Sequence, residues 1–250
     1  MEPDRSLMVL HDAHVLPGRV GALATLHEMF DVQVPRHPGF GVDDELAETW
    51  DSVGDLAQYH IERIRASGER RHLLGAGFGG WVALEMAVRA REWISSLMLV
   101  APYGLKVLGR LDREFADVLL LDPDELIELG WADPNRCTDI RMPGFPNDLD
   151  DAADARAFQD RAALARYGWK PFMHDPRLAR WLSVLDMPVL VLAGSHDRML
   201  APQHSRKVAE RLGAQFVEIE NSGHYPYLET QGAFVAAVCK FLDEVDEVRL

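Results

Sequence analysis

The chain has 250 residues, of which 48% are hydrophobic and 26% charged; this composition excludes a disordered or fibrous protein and allows a sizeable buried core. Its 26 basic and 40 acidic side chains give a formal net charge of -14, which repels phosphate backbones and anionic lipids and argues against nucleic-acid and membrane binding. The first residues lack the basic and apolar pattern of a signal peptide, so we expect a cytoplasmic protein.

Short apolar runs alternate with amphipathic segments along most of the chain. This alternation is typical of α/β proteins, in which a mostly parallel, doubly wound sheet is covered by helices. In chain order the pattern predicts strands at 7–10, 31–34, 72–74, 96–101, 188–193 and 215–220, and helices at 20–29, 52–66, 79–89, 203–212 and 234–245.

One segment, residues 106–186, breaks the alternation. It shows helical patterns and no good strand, and it is too long for an ordinary connection between two neighbouring strands. We therefore expect a helical lid inserted into a core made of residues 1–105 and 187–250. The helices predicted within it are 112–121, 124–129, 152–167 and 176–185.

A glycine-rich turn follows the third predicted strand, where residues 73–81 read Leu-Leu-Gly-Ala-Gly-Phe-Gly-Gly-Trp. A strand, a tight turn and a helix in this order have the form of a nucleophile elbow, which lifts one residue above the sheet. The spacing of the glycines does not fit a dinucleotide-binding fingerprint, and the turn lies in mid-chain. The turn therefore predicts a catalytic site.

Later motifs extend this pattern. Residues 194–202, Gly-Ser-His-Asp-Arg-Met-Leu-Ala-Pro, and residues 222–229, Ser-Gly-His-Tyr-Pro-Tyr-Leu-Glu, each follow a predicted strand. Upstream lie His11 and the run His-Pro-Gly-Phe-Gly at 37–41. With these motifs in this order, the chain resembles the α/β-hydrolase family over almost its whole length.

The resemblance implies an α/β-hydrolase fold and a set of site residues. It assigns Asp197 and His224 to the acid and the histidine of the family's catalytic triad. It places His11 in the oxyanion loop, with the amides of Ala13 and Phe78 holding an oxyanion. We expect the family's N-terminal hairpin to be missing, which would leave the strand at 31–34 as an exposed sheet edge, and from this we expect a homodimer.

The sequence departs from the family at two positions. Gly77 stands where the elbow Gly-x-Ser-x-Gly carries its serine, so an acyl-enzyme cannot form there, although glycine fits the strained turn well. Asp12 follows His11 where the family usually has glycine. If its carboxylate points inward, it opposes a developing negative charge; if it points outward, it caps the following turn, and we expect the outward orientation.

The residues that remain favour a His224–Asp197 pair acting as a general base on a small, mostly apolar molecule beneath the lid. The base activates a water molecule beside Gly77, or removes a proton from the substrate in C–C cleavage, isomerisation, cyclisation or oxygenation. Three alternatives stay open: the pair is a relic with structural roles only, the protein binds a ligand without turnover, or Gly77 is an introduced substitution in a serine esterase. We expect no cofactor and no metal, because the spacing of His11, His14 and His196 on loops is unspecific.

Overall fold

A computed structural model describes residues 6–14, 21–41, 49–109, 111–139, 151–201 and 203–249 of the chain. Within these ranges one six-stranded, entirely parallel sheet forms, in the order β2-β1-β3-β4-β5-β6. Its four central strands are nearly continuous in buried residues, as expected of a sheet covered on both faces. The strands are β1 Ser6–Leu10, β2 Asp31–Gln33, β3 Arg71–Ala76, β4 Ile94–Val100, β5 Val189–Gly194 and β6 Gln215–Ile219.

Helices connect the strands and bury their apolar faces against the sheet. In α2, the Ser52 side chain accepts a hydrogen bond from the Asp55 N–H while Asp55 caps the Ser52 N–H in return, and Gly68 ends the helix with φ 72°. The helices are α1 Ala22–Met29, α2 Val53–Ser67, α3 Phe78–Arg89, α4 Pro123–Gly130, α5 Asp151–Gly168, α6 His204–Leu212, α7 Pro226–Glu229 and α8 Gln231–Arg249.

The parallel α/β architecture predicted from the sequence is confirmed. Every predicted strand is present, with ends that differ by at most two residues, and the five helices predicted outside residues 106–186 are also present. The short helix α7 was not predicted, because four residues are too few to show a helical period. None of the helices in the described ranges has both the length and the apolar character needed to cross a bilayer.

The chain between β4 and β5 contains α4 and α5, two of the four helices predicted there. The prediction for 176–185 is only partly right, because this stretch forms two separate 3-10 turns, Leu178–Arg180 and Leu182–Val184. Helix α5 lies against the loop after β2: the Gly41 N–H donates to Asp160 Oδ1 at 2.6 Å and the Tyr167 hydroxyl donates to the Pro38 carbonyl at 3.2 Å.

The helix predicted at 112–121 is wrong. Phe115 forms an antiparallel bridge with Leu200, and the Ala116 N–H donates to the Met199 carbonyl at 2.8 Å. This backbone hydrogen bond goes to a distant segment, so it is unavailable to a local helix. Tertiary pairing therefore overrides the helical period of this stretch.

Candidate active site

Four loops meet at the carboxyl ends of the strands, the edge at which parallel α/β sheets usually bind ligands. Asp12 lies two residues after β1, Gly77 directly follows β3, Asp197 follows β5, and His224 lies in the loop after β6. The structure thus brings together side chains that are up to 212 positions apart in the sequence.

Gly77 forms the sharp turn between β3 and α3. Its backbone has φ 51° and ψ -115°, in a region that favours glycine. The Gly77 N–H donates to the Val100 carbonyl at 2.9 Å, and its carbonyl accepts from the Gly80 and Tyr103 N–H groups at 3.0 and 3.1 Å. The neighbouring backbone therefore fixes the turn on both sides.

His224 and Asp197 form a buried hydrogen-bonded pair. His224 Nδ1 donates to Asp197 Oδ2 at 2.8 Å, and the other carboxylate oxygen, Oδ1, accepts from the Met199 and Leu200 N–H groups at 2.9 and 3.1 Å. Because the carboxylate is held by two amides, it fixes the imidazole ring, and Nε2 is the nitrogen left available.

The Asp12 carboxylate points inward, so the expected outward orientation is wrong. Its Oδ1 accepts from the Phe78 N–H at 2.7 Å, and its Oδ2 lies 3.8 Å from His224 Nε2. Phe78 is the first residue of α3, where the amides have no partner within the helix and the dipole favours an anion. The helix N-terminus therefore attracts the carboxylate into the site.

The charges around His224 favour its protonated form. Burial lowers the pKa of His224, but the carboxylates of Asp197 and Asp12 outweigh burial and raise the pKa above the ordinary value for histidine. Tyr103 and Tyr225 place their rings 5.8 and 5.1 Å from the imidazole, and burial raises both their pKa values, so both stay neutral.

Three buried polar atoms at the site have no hydrogen-bond partner among the residues that the structure describes. They are Asp12 Oδ2, His224 Nε2 and the Tyr103 hydroxyl oxygen. Since buried polar groups are nearly always hydrogen-bonded, these atoms are suited to a polar ligand or to water. A cavity of about 450 Å³ also borders Asp197, beside Phe115 and Met199.

His11 supports the loop after β1 through a chain of three buried histidines. His11 Nδ1 donates to the Asp12 carbonyl at 2.7 Å, and His11 Nε2 accepts from the His37 N–H at 3.0 Å. His37 Nε2 donates to the His11 carbonyl at 3.0 Å, and His37 Nδ1 therefore accepts from His60 Nε2 at 2.9 Å. Burial lowers the pKa of His11 to about 4 and that of His60 to about 3, so the chain is neutral.

These contacts change how the predicted residues are interpreted. Both nitrogens of His11 bind backbone groups, so His11 holds the loop in place, and the buried residue Ala13 follows Asp12 within the same loop. His60 was not predicted from the sequence to be a member of this histidine chain. Its only signal was a polar residue on the apolar side of α2, which does not identify the partner.

The sequence model of the alpha/beta hydrolase family matches residues 12–238. The pimeloyl-[acyl-carrier protein] methyl ester esterase of Neisseria meningitidis serogroup A is 29% identical over 201 residues, which are 69% of this chain and 57% of the esterase. The chain thus spans little more than half of that relative's length. The 2-hydroxymuconate semialdehyde hydrolase of Pseudomonas sp. strain CF600 is 26% identical over 242 residues, covering 86% of this chain and 77% of the hydrolase.

A solved structure, described as a membrane phospholipase A and bacterial virulence factor, superimposes with a TM-score of 0.79 at 21% identity. The superposition covers 98% of this chain and 80% of the phospholipase. At this identity the similarity concerns the fold alone.

Proposed function

The chain belongs to the alpha/beta hydrolase family, and from that premise we propose that it transforms a small, mostly apolar molecule by proton transfer through His224 and Asp197. In this proposal Gly77 occupies the position of the family's nucleophile, and no covalent acyl-enzyme forms. The segment 106–186 serves as the lid above the site.

One observation carries the proposal: His224 Nδ1 is fixed by Asp197 at 2.8 Å, while the opposite ring nitrogen is buried and without a partner among the described residues. A carboxylate in this position selects the tautomer and stabilises the imidazolium that forms when Nε2 takes a proton. A histidine with a tuned pKa is the commonest general acid or base in enzymes.

The absence of a side-chain nucleophile limits the reactions that the site can perform. Two remain: attack of a water molecule that His224 activates, and removal of a proton from the substrate itself. The names of the relatives supply two substrate classes for testing, carboxylic methyl esters and semialdehydes such as 2-hydroxymuconate semialdehyde.

The test compares His224→Gln, Asp197→Asn and the wild type on both substrate classes. We expect His224→Gln to lower kcat/KM by about 10²–10⁴-fold, the usual contribution of a positioned acid or base. His196→Gln is the matched control, since this neighbouring histidine is exposed, and it should leave the rate unchanged. Turnover by the His224→Gln variant at the wild-type rate would contradict the proposal.

A second candidate is a ligand-binding protein without turnover. It is favoured by the Asp12 carboxylate, which already holds the Phe78 amide where an oxyanion would otherwise bind. Calorimetric binding of a substrate analogue, with no turnover by the wild type on either class, would support this candidate over the enzyme.

A further inference from the structure

We infer that Asp12 takes the place of the side chain that Gly77 lacks and acts with His224 as a second proton-transfer residue. This inference rests on the proton transfer through His224 proposed above, and it makes Asp12 the base and the protonated His224 the acid. It adds a catalytic carboxylate from the loop after β1, which the nucleophile elbow itself does not provide.

The first step of the argument is steric. A Cβ atom placed on Gly77 would overlap Oδ1 and Cγ of Asp12. The carboxylate therefore lies where a side chain at position 77 would begin. Its Oδ1 is fixed by the Phe78 N–H at 2.7 Å, and its Oδ2 lies toward His224 Nε2.

The second step concerns protons. Asp197 can only accept at 2.8 Å, so the hydrogen on His224 Nδ1 is committed to it. If Nε2 were unprotonated, its lone pair would lie 3.8 Å from the lone pairs of an ionised Asp12 Oδ2, with both atoms buried. A proton on Nε2 removes this conflict, because the imidazolium then faces the carboxylate as an opposite charge.

The other groups around the imidazole do not add a charge that would oppose the proton on His224 Nε2. The rings of Tyr103 and Tyr225 are neutral, and burial lowers the pKa of His14, which favours its neutral form. Among the residues that the structure describes, the ionised groups that act on His224 strongly are thus two carboxylates, one facing each ring nitrogen. The titratable groups facing His224 are Asp197, Asp12, Tyr103, Tyr225 and His14.

This pair can remove one proton and supply another in the same turnover. Asp12 Oδ2 takes a proton from one substrate atom, and the electron pair of the broken bond moves within the substrate. The imidazolium Nε2 gives its proton to a second substrate atom. Exchange with water, in which Asp12 loses its proton and His224 Nε2 regains one, restores the resting state, with no net oxidation and no other co-reactant.

The geometry therefore favours isomerisation or elimination within one small molecule. Ester hydrolysis through an oxyanion is disfavoured, since the Phe78 amide that would bind the oxyanion is already bonded to Asp12 Oδ1. The substrate class is a carbonyl compound with an acidic C–H or O–H group, which can lose one proton and gain another.

The first test is a double-mutant cycle that combines Gly77→Ala with Asp12→Gly. The stability of each variant is measured by thermal unfolding. We expect Gly77→Ala to lower the Tm by more in the wild-type background than in Asp12→Gly, with a difference of at least about 2–4 °C. Gly213→Ala is the matched control, because Gly213 has φ 62° and open space around its Cβ position. Its effect should be the same in both backgrounds. Additive effects at position 77 would overturn the inference.

The second test measures the pKa of His224 by NMR in histidine-labelled protein, with the signal assigned through His224→Gln. We expect Asp12→Asn, which keeps an oxygen for the Phe78 N–H, to lower that pKa by about 1 unit or more. Asp186→Asn, at an exposed carboxylate, is the control. If Asp197→Asn lowers the pKa and Asp12→Asn does not, this inference fails while the proposed function stands.

Discussion

At position 77 a hydroxyl group can be restored by one substitution, but the Asp12 carboxylate lies where that side chain would have to start. We therefore predict that Gly77→Ser alone stays unreactive, whereas Gly77→Ser combined with Asp12→Gly reacts with a fluorophosphonate. The double variant frees the Phe78 amide for the oxyanion and keeps the His224–Asp197 pair. Mass spectrometry of the labelled peptide is the measurement. If the Gly77→Ser variant is labelled as strongly as the double variant, the Asp12 carboxylate moves aside readily and the prediction is wrong.

The limit of sequence-based reasoning is also visible at the scale of these residues. That position 77 carries no side chain could be read from the sequence, because it depends only on which residue stands in a recognisable turn. The orientation of Asp12 could not, because its partner amide belongs to Phe78, 66 positions further along the chain. A local turn-capping preference was the only available argument, and the tertiary hydrogen bond overrides it.

At the scale of elements, the buried histidine chain makes the loop after β1 sensitive to acid. The pKa of His11 is lowered to about 4 and that of His60 to about 3, against 6.5 for a free imidazole. Below pH 6.5 these histidines become protonated in the unfolded chain but stay neutral in the folded protein. The free energy of unfolding therefore falls as the pH falls. We predict a loss of about 2 kcal/mol per histidine at pH 5 relative to pH 7.

Urea unfolding of His60→Gln at both pH values isolates this effect. The variant keeps an N–H donor for His37 but cannot titrate, so its stability should fall by about 2 kcal/mol less than that of the wild type. His224, whose pKa is raised, acts in the opposite direction, but it is common to both proteins and cancels in the comparison. His196→Gln is the control and should follow the wild type. An unchanged pH dependence in His60→Gln would refute the argument.

Glu114 anchors the start of the segment between β4 and β5. Its carboxylate accepts from the Val107 and Leu108 N–H groups at 2.8 and 2.9 Å and from His204 Nδ1 at 2.9 Å. His204 Nε2 donates to the Pro102 carbonyl at 3.1 Å, so both ring nitrogens carry hydrogen and the imidazole is charged. The segment is therefore tied to the core by a buried ion pair.

We predict that Glu114→Gln destabilises the protein by about 3 kcal/mol, because it leaves a buried imidazolium without its counter-charge. Chemical unfolding gives this value directly. Glu218→Gln, which removes a partly exposed partner of Arg206 at 3.5 Å, should cost less than about 1 kcal/mol. Equal effects of the two substitutions would mean that the Glu114 pair contributes no more than a surface contact.

At the scale of the whole molecule, the parallel sheet was predictable because apolar runs and turn residues recur with the period of alternating strands and helices. The course of the segment 106–186 was not, since its contacts join distant parts of the chain, as between Phe115 and Leu200. Five of the six large hydrophobic side chains that are exposed in the described ranges lie in this segment: Leu111, Leu120, Phe158, Trp169 and Trp181. A helical sequence period assumes that large apolar side chains are buried, so it does not predict this exposure.

The two ends of the sheet bear on the assembly of the molecule. In the described part of the chain, β2 and β6 are its edge strands. At the other edge, Arg206 of α6 lies 4.4 Å above the centre of the Phe216 ring of β6 and 3.5 Å from Glu218, which places charged groups beside this strand. Strand β2 instead has the half-buried Val32 at its centre, between the exposed Asp31 and Gln33, and we propose that two copies pair along its outer edge.

Light scattering at micromolar concentration should then give twice the chain mass of 28.1 kDa. We predict that Val32→Lys lowers the mass to that of the monomer, because a lysine on an edge strand opposes pairing with a second strand. Val217→Lys, at a half-buried valine of β6, is the matched control and should leave the dimer intact. If the wild type is a monomer, or if Val217→Lys dissociates the dimer and Val32→Lys does not, then β2 is excluded as the interface. The candidate active site would then be complete within one chain.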